Sequence, residues 1–593
     1  MKSLSLFNKE KVLLFVILIL GTILRLYGLN WDQGFHLHPD ERAIVMFTIP
    51  LQFPKSLDEF LSPSSPLNPH FFAYGNFPLY LLKAVASFLS NFEPSYLSYD
   101  RINLIGRSIS AMADIGTIFL IFLLAKKIIN RTTGLLASFF YAISVFPIQA
   151  SHFYAVDTLL TFFILFTLYQ LIRFYEKPLL KNAILVGVCF GLSLVTKISA
   201  IPLIIAVFAA ITADFVLIFI KKPHKPHVWL PHVPRFLKRL IFDGVIIAFT
   251  TGIMFVILQP YAIIDFQEFL KQNLLQSEMT HNAFVFPYTL QYVGKIPYWY
   301  EIKNVYLWGL GPILGSLSFL GILYISFKVS VEHYSSSEER SDESRRSIVS
   351  SSRQARTIII LIFFFAYFLI VGKFAVGWMR YMLPLYPLFA LFAAIFALKL
   401  HILVKRKLKM PKRLFVILNS LFIILISVWT LSFMNIYTKS NTRVLASEWI
   451  YKNIPENKIL AIEHWDDGMP IGGNIIYKTL ELPIYGMSDP STENEIYQKV
   501  QESDYIIIAS NRLYVPLQKI SKNCQEWNLP QERCSHNANR YYEKLFNGDL
   551  GFKKVAEFAI YPTIPIINIP INDQNADESF TVYDHPKVMI FKK

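Results

Sequence analysis

Two adjacent carboxylates, Asp40 and Glu41, lie in the segment WDQGFHLHPDERAIV (31–45), with His38 and Arg42 beside them. The segment directly follows an apolar run that is long enough to cross a bilayer, so the acidic pair lies near a membrane surface. One interpretation is that both residues are solvated loop acids. We favour the other interpretation, because histidines flank the pair and an apolar stretch, AIVMF, follows it: the pair is partly desolvated and accepts a proton in a reaction.

Asp157 is a third candidate acid, in the segment SHFYAVDTLL at the predicted outer start of an apolar helix. Alone, it would be interpreted as a first-turn acid that matches the helix dipole. Together with Asp40 and Glu41 it is a candidate for one shared cavity, because acids at bilayer depth are usually functional. His152 is interpreted as a hydrogen-bonded structural histidine. The remaining candidate site residues near these acids are His38, Arg42 and His152.

Three cations, Arg107, Lys197 and Arg380, lie on the same predicted outer face, where the usual distribution of charge in membrane proteins disfavours them. One explanation is anion binding, since Arg offers a forked donor to phosphate and Lys offers a point charge. The alternative is that they snorkel or pair with Asp100 or Asp114. Because three such cations occur together, the sequence favours a phosphate site.

The acids also offer ligands for a divalent metal ion, as the candidate set Asp40, Glu41 and Asp157, with nitrogen from His36 or His38. The chain has no P-loop and no G-x-G-x-x-G after a strand, so nothing indicates a nucleotide. Outer acids, outer cations and lipid-exposed helices together indicate a substrate with a phosphate headgroup and a long apolar tail. An activated sugar dissolved in the membrane fits that description.

The composition is that of a polytopic membrane protein. Of 593 residues, 53% are hydrophobic and only 17% are charged, against about a quarter in soluble domains. The net charge of +15 does not indicate nucleic-acid binding, because the cations cluster in short connectors between apolar runs. The chain has three cysteines, and Cys524 and Cys534 are candidates for a disulfide if their region lies outside the cytoplasm.

Apolar runs predict about eleven membrane-spanning helices. They are expected near 11–29, 108–128, 135–150, 157–175, 183–196, 199–220, 241–258, 306–327, 357–371, 381–400 and 414–434. Basic connectors alternate along the chain, and the positive-inside rule places them in the cytoplasm. With an odd number of helices, the sequence predicts a protein of the plasma (inner) membrane with a cytoplasmic N-terminus and an extracytoplasmic C-terminal region. The candidate carboxylates and cations then share the outer face.

Two domains are predicted, a membrane domain at 1–434 and a small extracytoplasmic α/β domain at 435–593. Within the first, the outer loop 30–107 contains an amphipathic helix near 77–90 along the membrane surface, and a polar segment near 329–356 is expected to be a disordered cytoplasmic loop. The strand-like runs KILAIEH, DYIIIAS and KVMIFKK, which alternate with polar helical stretches, indicate the α/β domain.

The segment LRLYGLNWDQGFHLHPDERAIV resembles the first-loop signature of GT-C glycosyltransferases that use polyprenyl-phosphate sugars. These include the protein O-mannosyltransferases (glycosyltransferase family 39-type) and the lipid A aminoarabinose transferase. The segment GNFPLYLLKAVASFL is similar to their juxtamembrane helix. The C-terminal stretch, with EHWDDGMP and ADESFTVYDHPKVMIFKK, looks like the tail of prokaryotic phospholipid-carrier-dependent members. The resemblance covers the whole chain and implies a GT-C fold.

The resemblance also implies roles for the candidate residues. Asp40 is then the catalytic carboxylate, and Glu41 supports it. Arg107, Lys197 and Arg380 are then the candidates to bind the carrier phosphate. It implies that no cofactor is required, with a divalent metal as the alternative. No β-trefoil insert is evident in the loops, which argues against a protein acceptor and leaves lipid, glycan or protein acceptors open.

The function expected from the sequence is transfer of a sugar from a polyprenyl-phosphate carrier to a hydroxyl acceptor on the extracytoplasmic face, with inversion and with Asp40 as the base. The expected partners are the lipid-linked donor, the acceptor and membrane lipids, and no nucleic acid. Two alternatives remain: a polymerase or ligase of lipid-linked oligosaccharides, and a flippase or transporter of a charged lipid-linked substrate.

Overall fold

The computed structural model describes residues 2–221, 233–335, 344–408 and 411–593. The part before residue 442 is helical in every regular element described. Its α-helices are Lys2–Leu26, Pro39–Thr48, Leu57–Phe60, Phe77–Ser90, Tyr99–Ile128, Arg131–Ala142, Val145–Ser151, Asp157–Glu176, Leu180–Thr196, Leu203–Lys221, Val233–Leu258, Tyr261–Ile264, Phe266–His281, Trp299–Asn304, Pro312–Ser335, Ser344–Val371, Tyr386–Leu408 and Lys412–Met434. A short 3-10 helix, Met379–Leu385, precedes one of the long helices.

Among the described residues, seven helices are long and apolar enough to cross a membrane, or eight if one bent pair counts as a span. The seven are Tyr99–Ile128, Asp157–Glu176, Phe236–Leu258, Pro312–Ser330, Arg353–Val371, Met379–Lys407 and Arg413–Met434. The chain is therefore an integral membrane protein with the helical architecture that its composition predicts. The predicted total of about eleven spans and the orientation that depends on it stay predictions.

The apolar run predicted as one span at 135–150 is two helices, Arg131–Ala142 and Val145–Ser151, bent by 60°. Ser144 between them has extended backbone (φ −70°, ψ 126°), and Pro147 lies in the first turn of the second helix. A proline there lacks the amide hydrogen that a continuous helix would need, so the helix restarts rather than continuing. The bend turns the short second helix toward the candidate site.

Two further features differ from or limit the sequence predictions. The ends of the expected disordered segment 329–356 are helical, since one helix runs to Ser335 and the next begins at Ser344, and 336–343 lie outside the described residues. A helix does occupy Phe77–Ser90, and its apolar side packs against Pro39–Thr48 and Tyr99–Ile128. Its position along the membrane surface and the domain boundary at 434/435 stay predictions.

The C-terminal part contains the predicted sheet. Its strands are β1 (Ile459–Glu463), β2 (Lys478–Leu482), β3 (Tyr505–Ile508), β4 (Lys553–Phe558), β5 (Thr563–Ile564), β6 (Ile569–Pro570) and β7 (Val588–Lys592). Five of them form one sheet in the order β2-β1-β3-β7-β4, with parallel pairs around β1 and antiparallel pairs on β7. The three strand-like runs seen in the sequence are β1, β3 and β7.

Helices cover both faces of this sheet. They are Thr442–Asn453, Pro490–Glu502, Tyr514–Asn523 and His536–Asn547. In β3 all four side chains are buried: Ile506 and Ile508 belong to one apolar cluster, and Tyr505 and Ile507 to another. A strand buried on both faces has a continuous apolar sequence instead of an alternating one, which explains the run YIII.

Candidate active site

Asp40 and Glu41 lie in the first turn of the helix Pro39–Thr48. His38 caps this helix, since its Nδ1 accepts a hydrogen bond from the amide of Glu41 at 3.4 Å, and Pro39 is favoured at the first helical position. Adjacent helical residues point in directions about 100° apart, so the two carboxylates enter different surroundings. Glu41 pairs with Arg107, and Asp40 pairs with Arg380.

Glu41 is fully buried and is held by Arg107. The Nε and Nη2 atoms of Arg107 donate to the two carboxylate oxygens of Glu41 at 2.9 and 2.6 Å. The other donors go to Asp32, at 2.9 and 2.6 Å, and to the carbonyl of Leu29 at 2.9 Å. The amide of Tyr154 also donates to Glu41, at 2.9 Å. One guanidinium thus binds both acids.

The prediction that Arg107 binds the carrier phosphate does not fit this arrangement. Its side chain is fully buried, and all five of its N–H groups already have acceptors. Burial of Asp32 opposes its ionisation, but the charge and hydrogen bonds of Arg107 outweigh that effect and hold the pKa of Asp32 below its usual value. Arg107 therefore supports the loop that carries Asp40, and Glu41 has the same structural role.

Asp40 is paired with a different arginine. Its carboxylate forms an ion pair with Arg380, which lies in the 3-10 helix Met379–Leu385. The two side chains remain 21% and 17% exposed, in contrast to the closed Arg107 cluster. The guanidinium of Arg380 also lies 5.5 Å from the ring of Trp378, a cation–π contact that orients it. The first-loop acid and the late cation therefore meet, as the sequence predicts.

Asp157 and Lys197 form a second ion pair, with 2.8 Å between Lys197 Nζ and Asp157 Oδ1. Asp157 begins the helix Asp157–Glu176, and Lys197 follows the helix Leu180–Thr196 with extended backbone (φ −162°, ψ 130°). The ammonium lies between the rings of Tyr74 and Tyr381, at 5.4 and 5.1 Å. The break at Lys197 also explains why the apolar run around TKISAIP is two helices.

One member of each ion pair lines a small cavity of about 20 Å³: Arg380 from the first pair and Asp157 from the second. His38 and two residues from the end of the chain, Ser579 and Tyr583, also line it. The ring of Tyr583 lies 4.1 Å from that of His38. Sequence reasoning missed both C-terminal residues. The segment ADESFTVYDHP is informative only through its resemblance to the family, and no pattern in it marks contact with the membrane helices.

The remaining sequence candidates have structural partners. His38 is buried between Phe153 and Tyr583, and burial together with the nearby charge of Arg380 holds its pKa well below the usual value, so the ring is neutral. His152 contacts the carbonyls of Ile148 and Tyr27 at 2.8 and 2.9 Å, as the structural interpretation predicts. His36 contacts the carbonyl of Tyr99 at 2.8 Å.

The alternative metal site is not assembled from the predicted ligands. Asp40, Glu41 and Asp157 are each paired with a different cation, and the structure does not bring them together as one ligand set. Within the described residues the clustered His, Cys, Asp or Glu ligands are Cys524, Cys534 and His536. There the two cysteines form a disulfide, with 5.3 Å between their Cα atoms, so the thiolates that a metal would need are consumed.

Arg42 connects the site to the C-terminal sheet. It donates to Asp467 at 3.0 Å, in the loop after β1, and Arg443 contacts both Asp467 and Asp466 at 3.1 and 3.0 Å. Arg443 also donates to the carbonyl of Val582 at 2.9 Å. This charge network ties the helix that carries Asp40 to the segment that carries Tyr583.

The C-terminal segment is anchored on both sides of Tyr583. Glu578 accepts from Arg512 at 2.6 Å, and burial raises the pKa of Glu578 to about 7 in spite of that partner. Asp584 accepts from Gln149, on the helix Val145–Ser151, at 3.0 Å and from Tyr437, in the 3-10 helix Ile436–Thr438, at 2.8 Å. These contacts hold the segment against the helix Val145–Ser151.

With this geometry in view, the chain can be compared with known proteins. Residues 103–234 match the family described as dolichyl-phosphate-mannose-protein mannosyltransferase. No curated protein matches the chain. The family match covers less than half of the chain, and over residues 103–234 it agrees with the resemblance to membrane glycosyltransferases that the first-loop motif predicts.

Solved structures of three such enzymes are similar to the chain. The oligosaccharyltransferase AglB of Archaeoglobus fulgidus is 14% identical with a TM-score of 0.49, covering 99% of this chain and 89% of its own. ArnT of Cupriavidus metallidurans is 12% identical with a TM-score of 0.46, covering 87% and 95%. The Pmt1-Pmt2 protein O-mannosyltransferase of S. cerevisiae is 16% identical with a TM-score of 0.32, covering 44% and 34%. At such values these likenesses carry no conclusion about activity.

Proposed function

We propose that this membrane glycosyltransferase moves a sugar from a polyprenyl-phosphate carrier to a hydroxyl acceptor at the extracytoplasmic face, with inversion. The observation that carries the proposal is that two ion pairs, Asp40–Arg380 and Asp157–Lys197, each place one member, Arg380 and Asp157, on the same cavity. A site with two carboxylates and two cations matches a reaction that moves a proton and releases a phosphate.

Donor binding exchanges the partners of the cations. In the structure Arg380 is neutralised by Asp40, and Lys197 by Asp157. The cavity of about 20 Å³ has room for about one water molecule, so it must widen before the carrier phosphate can enter. Arg380 and Lys197 then bind the phosphate oxygens, because charge-assisted bonds to phosphate compete well with those to carboxylate. Asp40 is then released beside the anomeric carbon with its proton-accepting oxygens free.

The transfer step balances as a single displacement. The acceptor oxygen forms a bond to the anomeric carbon on the face opposite the carrier, while the bond from that carbon to the phosphate oxygen breaks. Asp40 takes the hydroxyl proton. The polyprenyl phosphate leaves, and Arg380 and Lys197 balance its negative charge. Arg107 takes no part in this step, since its donors are committed to Glu41 and Asp32.

The extracytoplasmic location of the site rests on two observations. Every second connector between the apolar runs is rich in Lys and Arg, and the positive-inside rule places those connectors in the cytoplasm and the site on the other face. The C-terminal part also contains the disulfide Cys524–Cys534, a bond that persists in oxidising compartments. The acceptor stays open among lipid, glycan and protein.

The test is an assay of the purified full chain with a panel of polyprenyl-phosphate sugars, with products identified by mass spectrometry. The proposal expects release of polyprenyl monophosphate and a glycosylated acceptor of inverted anomeric configuration. Products formed only from diphosphate-linked glycans would replace it with the polymerase or ligase alternative. Movement of the intact lipid-linked sugar across vesicles without any transfer would replace it with the transporter alternative.

A further inference from the structure

A second cavity, with a volume of about 700 Å³, lies apart from the candidate active site. Three parts of the chain form its walls: the segment 280–297, the turn that follows the helix Ser344–Val371, and the loop closed by the disulfide Cys524–Cys534. A cavity of this size is sufficient for a lipid headgroup or a small ligand. Neither the reaction proposed above nor the sequence motifs use it.

The polar groups of this cavity are suited to an anion. Lys373 is exposed, and its side chain has no ion-pair or hydrogen-bond partner among the residues that the structure describes. Asn282 uses its Oδ1 to accept from the amide of Phe284 at 2.9 Å, so its Nδ2 remains a donor. Lys295 also lines the cavity but is neutralised by Glu301. Within the described chain, no Asp or Glu lines the cavity.

Two aromatic walls have cations close to their rings. Trp527 lies against Gly294, whose positive φ of 71° and missing Cβ allow the ring to touch the backbone. Lys519 Nζ lies 5.2 Å from the ring of Trp527, and the guanidinium of Arg533 lies 4.7 Å from the ring of Phe284. These cations add to the positive potential at the cavity without blocking its interior.

The cavity lies beside one end of a candidate membrane span. Ile370 on its wall belongs to the last turn of the span Arg353–Val371, and Lys373 lies two residues beyond that span. Near the rim, Ile296 and Trp299 are 66% and 61% exposed. Large apolar side chains and a tryptophan at such a position are typical of the membrane–water interface. A ligand that enters here would come from the bilayer.

This cavity is separated from the candidate active site by two aromatic rings. Tyr292 forms part of the cavity wall, and its ring lies 5.2 Å from the ring of Trp378. The guanidinium of Arg380 lies 5.5 Å from the same Trp378 ring. The two sites are therefore close, but they are lined by different residues.

We propose that this cavity binds the phosphate headgroup of an anionic membrane lipid. Lys373 and Asn282 donate to the phosphate, the walls of Trp527 and Phe284 pack against the glycerol part, and the acyl chains pass over Ile370 into the bilayer. The proposal concerns binding alone and does not rest on the transferase reaction.

The test measures binding of dihexanoyl phosphatidylglycerol to the full chain in neutral detergent, by isothermal titration calorimetry, with dihexanoyl phosphatidylcholine and glycerol 3-phosphate as comparison ligands. The proposal expects phosphatidylglycerol to bind at least about tenfold more tightly than either comparison ligand. Lys373→Gln should weaken it about tenfold, the effect of losing one charge-assisted hydrogen bond. Asn282→Ala should weaken it to a smaller extent.

Lys439→Gln is the matched control, because Lys439 is also an exposed lysine just beyond a span but does not line the cavity. Its affinity for phosphatidylglycerol should equal that of the wild type. Equal affinity for phosphatidylcholine, or wild-type affinity in Lys373→Gln, would overturn the proposal. Binding of glycerol 3-phosphate as tight as that of the lipid would assign the cavity to free phosphate esters instead. No donor sugar is present, so these results are independent of the transfer assay.

Discussion

Arg107 and Glu41 form a two-point hydrogen-bonded ion pair, at 2.9 and 2.6 Å, with neither side chain exposed to solvent. The pair joins the start of the helix Pro39–Thr48 to the long helix Tyr99–Ile128. It fixes the direction in which the neighbouring Asp40 leaves the same helical turn. Of two consecutive acids, one is thus structural and the other is left beside the cavity.

Breaking that pair should cost stability and leave donor recognition intact. Removal of one partner of a buried ion pair typically costs about 3–5 kcal/mol, since the other charge is left uncompensated. Glu41→Gln and Arg107→Lys should therefore lower the unfolding temperature in detergent, measured by differential scanning fluorimetry. At temperatures where the variants stay folded, their KM for the donor should match that of the wild type. A raised donor KM in Arg107→Lys with an unchanged unfolding temperature would return the phosphate role to Arg107.

Asp40→Asn should lower kcat about 10²–10⁴-fold, the range for loss of a positioned base, while donor binding persists. The substitution keeps the size of the side chain and removes its proton-accepting charge. Steady-state rates and equilibrium binding of the donor measure the two effects separately. Asp100→Asn changes an exposed acid in the first turn of the helix Tyr99–Ile128, and as the control it should retain full activity. Wild-type turnover in Asp40→Asn would remove Asp40 from the mechanism.

Lys197→Met should raise the donor KM about tenfold or more, because one charge-assisted bond to the phosphate is lost. Asp157→Asn should have a smaller or opposite effect on the same constant, since it frees Lys197 from its 2.8 Å partner. The comparison of the two variants in donor titrations checks whether the pair exchanges partners on binding. Equal losses from both substitutions would indicate that the ion pair itself, rather than its cation, is what the donor requires.

Tyr583→Ala should reduce kcat at least about tenfold, because the ring that closes the cavity against His38 is removed. Tyr583→Phe keeps the ring and should keep most of the activity. Thermal unfolding of both variants provides the control for folding. If the phenylalanine variant is as impaired as the alanine variant, then the hydroxyl of Tyr583 contacts a substrate, and the role of the ring as a wall is wrong.

Glu463 in β1 should make stability depend on pH. It is buried and accepts from Tyr542 at 2.6 Å, and burial raises its pKa to about 8. A raised folded-state pKa means that the protonated form is favoured in the fold. The stabilising contribution is therefore complete below the unfolded-state value of about 4.5 and is lost as the pH rises through 8.

Glu463→Gln should flatten that dependence and make the protein more stable than the wild type above pH 8. Unfolding temperatures between pH 5 and pH 9 measure the effect. Glu481→Gln, on the exposed side of the neighbouring strand β2, is the matched control and should follow the wild-type curve. Parallel pH curves for Glu463→Gln and the wild type would contradict the assigned pKa.

The sequence predicted that Asp40, Asp157, Lys197 and Arg380 share one face, because the predicted topology places them there, and the structure pairs Asp40 with Arg380 and Asp157 with Lys197. It also predicted the three strands whose apolar runs are longest. It did not predict that Asp32, in the same motif as Asp40, would neutralise Arg107. That outcome depends on distances of 2.6–2.9 Å in a buried site, which no spacing rule supplies. The return of Ser579 and Tyr583 to the membrane helices was missed for a related reason, since contacts between such distant parts of a chain leave no periodic signal.

The closing of the cavity by Tyr583 has a consequence for how the protein is made. The contact between Gln149 and Asp584 joins residues 435 positions apart. Contacts of such long sequence separation form late in folding. The membrane helices can enter the bilayer as they leave the ribosome. The cavity is complete only after the C-terminal segment, which supplies Ser579 and Tyr583 to its lining, has emerged and docked. A nascent chain is thus inserted before it can become an enzyme.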